Sequence, residues 1–396
     1  MLVFKEERRE PFLPKGYGAC TEKASVFLVV VTRPTQQMPG TGNSSPGCGA
    51  VEPDRGKSMS VSVGERKMIP RGEDDILSLL DAHFPRSGKG LLLGRGDDCA
   101  LLAPAALPRA LTCDVFVEDS HFRTRYFTPY ELGWKALAVN VSDLASAGAE
   151  PEGFSLGLTL TGREYAEWLD ACFSGMADLA GRWNMALAGG DLARAGVLHF
   201  SVTAWGRVLY ADLRRGRAHT GDMIFACGEI GLARTGLLAL ESAGTPEDVA
   251  RVRREYPASC AAHLMPEPRV EFALALAELA ERNGAAGRMG LMDLSDGLAR
   301  DLPRLLDSRR TGLGADIELP EAALRDEVRR FAGEQGESAA EFAFRGGEDY
   351  ALIGTCPPQL WPAVEALGVR RLGEVRAGGM TLNGTPWTAP GFDHFG

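Results

Sequence analysis

Basic residues are in short supply. Against 53 Asp and Glu the chain sets 43 Lys and Arg, a formal net charge of −10 with an isoelectric point near 5.3. A general nucleic-acid surface is thereby excluded, because gripping a phosphate backbone takes clustered Lys and Arg. An anionic ligand must instead be held through a cation or through local donors. The eight cysteines (Cys20, Cys48, Cys99, Cys113, Cys172, Cys227, Cys260, Cys356) contain no C-x-x-C pair and no zinc-like spacing, so they are expected to be reduced, cytosolic and mostly buried. The strongest early apolar run, Val26 to Val31, falls far short of the roughly 20 residues that span a bilayer, so no membrane association is expected. Lys5, Arg8 and Arg9 precede that run as in a secretory leader, but Glu22 and the lack of a small-residue cleavage site argue against one. Ser87-Gly88-Lys89-Gly90 lacks the upstream glycine and the following hydroxyl residue of a Walker-type loop, which leaves Lys89 as a solvated side chain. No Ser-His-Asp or isolated Cys-His arrangement supports covalent catalysis.

What is present is a chain of 396 residues, 45% hydrophobic, long enough for two domains. Residues 1–70, rich in Pro, Gly and Ser and containing Met59 and Met68, read as a disordered extension or a misassigned start. Order is expected from near Gly72. Acids at 73–75 open a helix to about Phe84. Strands at 111–117, 154–160 and 199–208 then alternate with helices at 130–147 and 163–183. The pattern restarts near residue 220 with a strand at 223–227, a glycine-rich turn, further helices and a strand at 288–293. Asn383-Gly384 fits a hairpin turn. The expectation is an α/β (α+β) protein with an N-terminal domain at 71–220 and a C-terminal α/β domain at 221–396.

Six acid-bearing segments recur at glycine-rich turns or strand ends: 96–98, 112–114, 142–143, 189–191, 293–297 and 346–349. Any one is equally well a turn or a helix cap; together they suit Mg²⁺, which bridges dispersed carboxylates to substrate phosphates. Asn140 and Asp143, three apart, share one helix face, and Asp143 is a polar group on a largely apolar helix. Asp293 and Ser295 fall on one side of a strand by alternation, with Asp296 where a helix begins near Gly297. Arg194, the cluster Arg214, Arg215 and Arg217, and Arg300 are the nearby candidates to meet phosphate.

The ordered series GRGDDCALL (94–102), TCDVFVEDSHF (112–122), WKALAVNVSDLASAGAEP (134–151), GGDLAR (189–194), MDLSDGLARDL (292–302), GGEDYAL (346–352) and GFDHFG (391–396) resembles the thiamine-monophosphate kinase family, within the superfamily of aminoimidazole ribonucleotide synthetase. The resemblance implies a two-domain fold whose N-terminal sheets pair into a barrel in a homodimer. It also implies Mg²⁺-dependent, in-line transfer of the γ-phosphoryl group of ATP to thiamine monophosphate in the cytoplasm. Carried over by position, Asp98, Asp114, Asp143, Asp191, Asp293 and Asp296 are implied metal ligands, with Thr112 and Cys113 beside Asp114. Asp114, Asp143 and Asp296 are the implied catalytic acids. Gly190, Asp191, Arg215 and Ser295 match nucleotide positions, and His121, Glu348 and Phe392 the thiamine-phosphate side. Cys113 replaces a threonine, so a ligand role there falls to its carbonyl; Arg217 stands in place of glycine, and Met265 breaks a basic segment. The remaining readings are a selenophosphate synthetase, a hydrogenase-maturation ATPase and a non-catalytic nucleotide sensor; the first two need a reactive N-terminal or a C-terminal cysteine, and the chain ends in GFDHFG.

Overall fold

Three acids in the first turn, where the positive end of the helix dipole favours them, open α1 (Glu73–His83). The computed structural model describes residues 70 and 72–387; the expectations for residues 1–69, for Phe392 and for the GFDHFG segment lie outside them. A short hairpin of β1 (Leu91–Leu93) and β2 (Leu101–Leu102) follows α1. The first main sheet comprises β3 (Arg109–Val117), β4 (Ala149–Leu160), β5 (Ala186–Arg194) and β6 (His199–Val208). Its order is β3-β6-β4-β5, antiparallel except for the β4/β5 pair.

Helix α2 (Pro129–Ser146) packs on β3, β6 and β4, and α3 (Ala166–Gly181) packs on α2. The start of α2 is fixed by a reciprocal cap: the Glu131 N–H donates to Thr128 Oγ1 at 3.3 Å, and the Thr128 N–H donates to Glu131 at 2.8 Å. Close crossing of α2 and α3 needs glycine. A Cβ at Gly133 would sit 1.8 Å from the Cys172 carbonyl oxygen.

Three local features differ from the sequence expectation. Strand β4 begins at Ala149 because Gly148, at φ +70°, turns the chain straight out of α2. Helix α3 begins three residues late, since Glu164 accepts the N–H groups of Thr161 and Gly162 at 3.0 and 2.9 Å and closes a turn ahead of it. Strand β5, which carries Gly189-Gly190-Asp191, lacks the β-branched alternation that announces a strand and forms through its parallel ladder with β4.

The second sheet contains β7 (Met223–Cys227), β8 (Gly290–Asp293), β9 (Leu313–Ile317), β10 (Leu352–Cys356), β11 (Arg370–Ala377), β12 (Met380–Leu382) and β13 (Thr385–Pro386) in the order β13-β12-β9-β11-β7-β10-β8. Only β12/β9 is parallel. Asn383 and Gly384, both at positive φ, form the β12–β13 turn as expected. Helices α4 (Leu232–Glu241), α5 (Pro246–Glu255), α6 (Pro257–Leu264), α7 (Val270–Arg282) and α8 (Leu298–Leu305) join these strands. Helix α2 also touches β8 and α7, so one buried helix is shared by both sheets.

Gly133→Ala is expected to cost at least about 2 kcal/mol through overpacking of the α2–α3 crossing. Gly181→Ala, with nothing within 4 Å of its Cβ, is expected to gain about 0.5 kcal/mol. Denaturant unfolding of both variants checks the contrast.

Candidate active site

Along β3, side chains alternate across the sheet, and Thr112 and Asp114 face α2. The Thr112 hydroxyl donates to Asp143 Oδ2. The Asp114 N–H donates to Asn140 Oδ1 at 3.1 Å, while Asn140 Nδ2 donates to the Ala136 carbonyl at 3.2 Å. Two residues beyond Asn140, Ser142 Oγ stands 3.5 Å from Asp293 Oδ2 at the end of β8. Thus β3, α2 and β8 bring Asp114, Asp143 and Asp293 into one electrostatic neighbourhood. The Cys113 thiol points to the other face and is exposed. Of the six described cysteines only Cys172, Cys260 and Cys356 are buried, fewer than composition suggested.

Each of the three carboxyls holds its proton more tightly than an ordinary aspartate. Burial, then the charge of Asp143, raises Asp114 to about 6. Burial raises Asp143 as well, against the Thr112 hydroxyl and the Arg215 guanidinium, which pull it down. Asp293 is pushed furthest, by burial and then by Asp143, Asp301 and Asp114. Among the described residues no three His, Cys, Asp or Glu groups form a ready-made metal cage. Arg215 is close enough to act on Asp143, but its neighbours are committed elsewhere: Arg214 pairs with Asp212, and Arg217 donates to Asp212 at 3.0 Å and to the Ala286 carbonyl at 2.6 Å. Lys89 is likewise paired, 3.1 Å from Glu150, rather than merely solvated.

Strand β8 stops at Asp293, so Ser295 lies in the turn beyond it and the expected strand alternation does not extend that far. Gly297, at φ +91°, caps α8. Asp296 is fixed there: its N–H donates to buried Asp301 at 2.8 Å, and Arg304 reaches Asp296 at 2.5 Å and Asp301 at 2.9 Å. The Ser295 carbonyl accepts the Glu348 N–H at 2.7 Å. Glu348 and Asp349 then diverge. Asp349 accepts the Gly231 and Ala233 N–H groups at the start of α4, at 2.7 and 2.9 Å, whereas Glu348 meets Lys135 at 3.2 Å and His263 at 2.8 Å. Neither Lys135 nor His263 carries a site role in the sequence reading; the available signal was a lysine inside the apolar run Trp134–Val141. His121 is half-buried, its Nδ1 accepting the Val117 N–H at 3.2 Å beside Phe116.

Asp98, Gly190 and Asp191 are not brought to this cluster. They line a separate cleft of about 480 Å³ with Arg95, Asp97 and Trp205. That cleft lies along β5, the edge of the sheet opposite β3.

Comparison with known proteins gives this arrangement a context. The family model "AIR synthase related protein, N-terminal domain" matches residues 96–208, the span of the first sheet. Thiamine-monophosphate kinase of Escherichia coli (strain K12) is 35% identical over 335 residues, 80% of this chain and 97% of that protein. The chain belongs to the thiamine-monophosphate kinase family. The solved thiamine-monophosphate kinase of Stenotrophomonas maltophilia K279a superposes with a TM-score of 0.67 at 32% identity, covering 80% of this chain and 98% of that one. A further solved member of the family, described as "AaThiL complexed with AMPPCP and TMP", gives a TM-score of 0.60 at 26% identity over 81% and 96% of the two chains.

Three proton-hungry carboxyls make a linkage prediction for this family member. Their folded-state affinities exceed the unfolded value of about 4, so folding takes up protons and their cost shrinks as pH falls toward 5. In chelator-containing buffer at pH 7.5, Asp293→Asn is expected to be more stable than the parent, with the gap narrowing at pH 5. Calorimetry at both pH values checks this; a destabilised variant with an unchanged gap contradicts it.

Proposed function

We propose that the protein transfers the γ-phosphoryl group of ATP to thiamine monophosphate, forming thiamine diphosphate and ADP. The observation that carries the reading is the convergence of Thr112, Asp114, Asp143 and Asp293 from β3, α2 and β8 in a chain whose relatives are thiamine-monophosphate kinases. The pairing of AMPPCP with TMP in the solved relative supports the two-substrate form.

The donor set suits Mg²⁺, which takes carboxylate oxygens and keeps open positions for phosphate and water; buried acids that repel one another are what such a cation relieves. Asp98, Asp114, Asp143, Asp191, Asp293 and Asp296 would hold it, with Thr112 and the Cys113 carbonyl. When bound there, Mg²⁺ would supply charge screening between the two polyanions and electrostatic stabilisation of the transferring group. The remaining work belongs to the chain. Thr112 orients Asp143, Asn140 anchors the backbone of Asp114, and Asp301 and Arg304 fix Asp296. Arg215, Gly190 and Ser295 would hold the nucleotide; His121 and Glu348 the thiamine phosphate, with Phe392 beyond the described residues. No general base is required, because the attacking oxygen belongs to a phosphate already ionised above about pH 6.

Assembly belongs to the same reading. Asp191 and Asp114 stand on opposite edge strands, three inter-strand spacings or about 14 Å apart, so one site using both needs a second copy. Leu111 and Val115, 71% and 51% exposed on edge strand β3, are large apolar side chains of the kind a paired sheet covers. We therefore infer a homodimer in which β5 of one copy approaches β3 of the other. A cytoplasmic location fits the free cysteines; among the described residues no helix is long and apolar enough to cross a membrane.

Purified protein is expected to convert thiamine monophosphate, and not thiamine or aminoimidazole-type ribonucleotides, in the presence of Mg²⁺ and ATP. Asp143→Asn and Asp296→Asn are each expected to lower kcat by at least about 100-fold with the fold intact, and near-normal turnover in either would sink the ligand assignment. Sedimentation equilibrium is expected to show a dimer that Leu111→Lys with Val115→Lys dissociates; a fully active monomeric parent would remove the shared-site reading.

A further inference from the structure

Lys135 is completely buried in α2, where an unpaired ammonium would be untenable. Its Nζ donates to the His263 carbonyl at 2.7 Å and to Glu348 Oε2 at 3.2 Å, and it lies 5.6 Å from the Phe127 ring centre and 6.0 Å from that of Phe116. His263, also fully buried, places Nδ1 2.8 Å from the same Glu348 oxygen. Two acceptors cannot meet at that distance, so Nδ1 carries the proton and donates it. Among the described residues its Nε2 has no hydrogen-bond partner, and the ring lies against those of Tyr126 and Phe127. Burial and the Lys135 charge keep the imidazole neutral, and both partners hold Glu348 well below the usual carboxylate range against its own burial.

The backbone around Glu348 is equally constrained. Glu348 and Tyr350 adopt φ of +64° and +46°, a conformation that is costly for non-glycine residues and persists where the surroundings enforce it. The Glu348 N–H is tied to Ser295, and neighbouring Asp349 is tied to the start of α4. Both side-chain contacts fall on Oε2. Glu348 is nonetheless a quarter exposed, which leaves Oε1 for a ligand. Tyr350 feels the charges of Glu348, Asp293, Asp114 and Asp143 together, so this carboxylate and the acidic cluster flank one region.

We propose that Lys135 and His263 are positioning residues that aim the Glu348 carboxylate at an N–H donor on the aminopyrimidine of thiamine monophosphate, an inference that rests on the phosphotransferase reading above. Neither residue touches substrate. The test is a double-mutant cycle over Lys135→Met and Glu348→Gln, with KM read separately for thiamine monophosphate and ATP. Each single variant is expected to raise KM for thiamine monophosphate by about tenfold or more and to leave KM for ATP within about twofold, while the double variant is no worse than the poorer single. In a second pair, His263→Leu behaves like Lys135→Met, and His263→Asn, which keeps an N–H donor near the Nδ1 position, recovers most of the loss. This pair gives the same reading if Lys135→Met does not fold. Additive effects, an equal rise in KM for ATP, or a His263→Leu variant indistinguishable from the parent would overturn the positioning role. A parent protein that fails to turn over thiamine monophosphate at all would instead overturn the functional reading itself.

Discussion

Asp114, Asp143 and Asp293 repel one another in a place from which water is largely excluded, and the surrounding structure exists to hold them there despite it. Among the described residues none of the three is neutralised by a full ion pair; Arg215 softens only Asp143. Buried like charges cost stability, and a fold keeps such an arrangement where a cation or a reaction gives it use.

Helix α2 is the element that makes this possible. It starts at the Thr128–Glu131 cap, crosses α3 at Gly133, and touches both β3 and β8. Its polar side chains are spaced so that Lys135 reaches Glu348, Asn140 and Asp143 reach β3, and Ser142 reaches Asp293. A rotation or displacement of α2 would therefore disturb the acidic cluster and the Glu348 cluster together. The α2–α3 packing sets how precisely the carboxylates can be held.

Much of this was legible before any coordinates. Asn140 and Asp143 on one helix face, Asp296 at a helix start and the Asn383-Gly384 hairpin follow from periodicity and cap chemistry, which are local properties. Strand β5 was not legible, because Gly189-Gly190-Asp191 becomes a strand only through a parallel ladder with residues 34 positions away in sequence. The Lys135–His263–Glu348 contact joins α2, α6 and the segment after the helix Ala339–Phe344 across sequence separations of 128 and 213 residues, and no local rule reports such distances. The separation of Asp191 from Asp114 depends on sheet order, so a list of aspartates made by position looks like one site although the fold sets these two on opposite edges of one sheet.

The measurement that bears most directly on this account is a calorimetric titration of Mg²⁺ into the protein with and without a non-hydrolysable ATP analogue. If the acids await a phosphate-bridging cation, Mg²⁺ binds at least about tenfold more tightly in the presence of the nucleotide. Equally tight binding in its absence would mean a resident metal cage and would contradict the central claim.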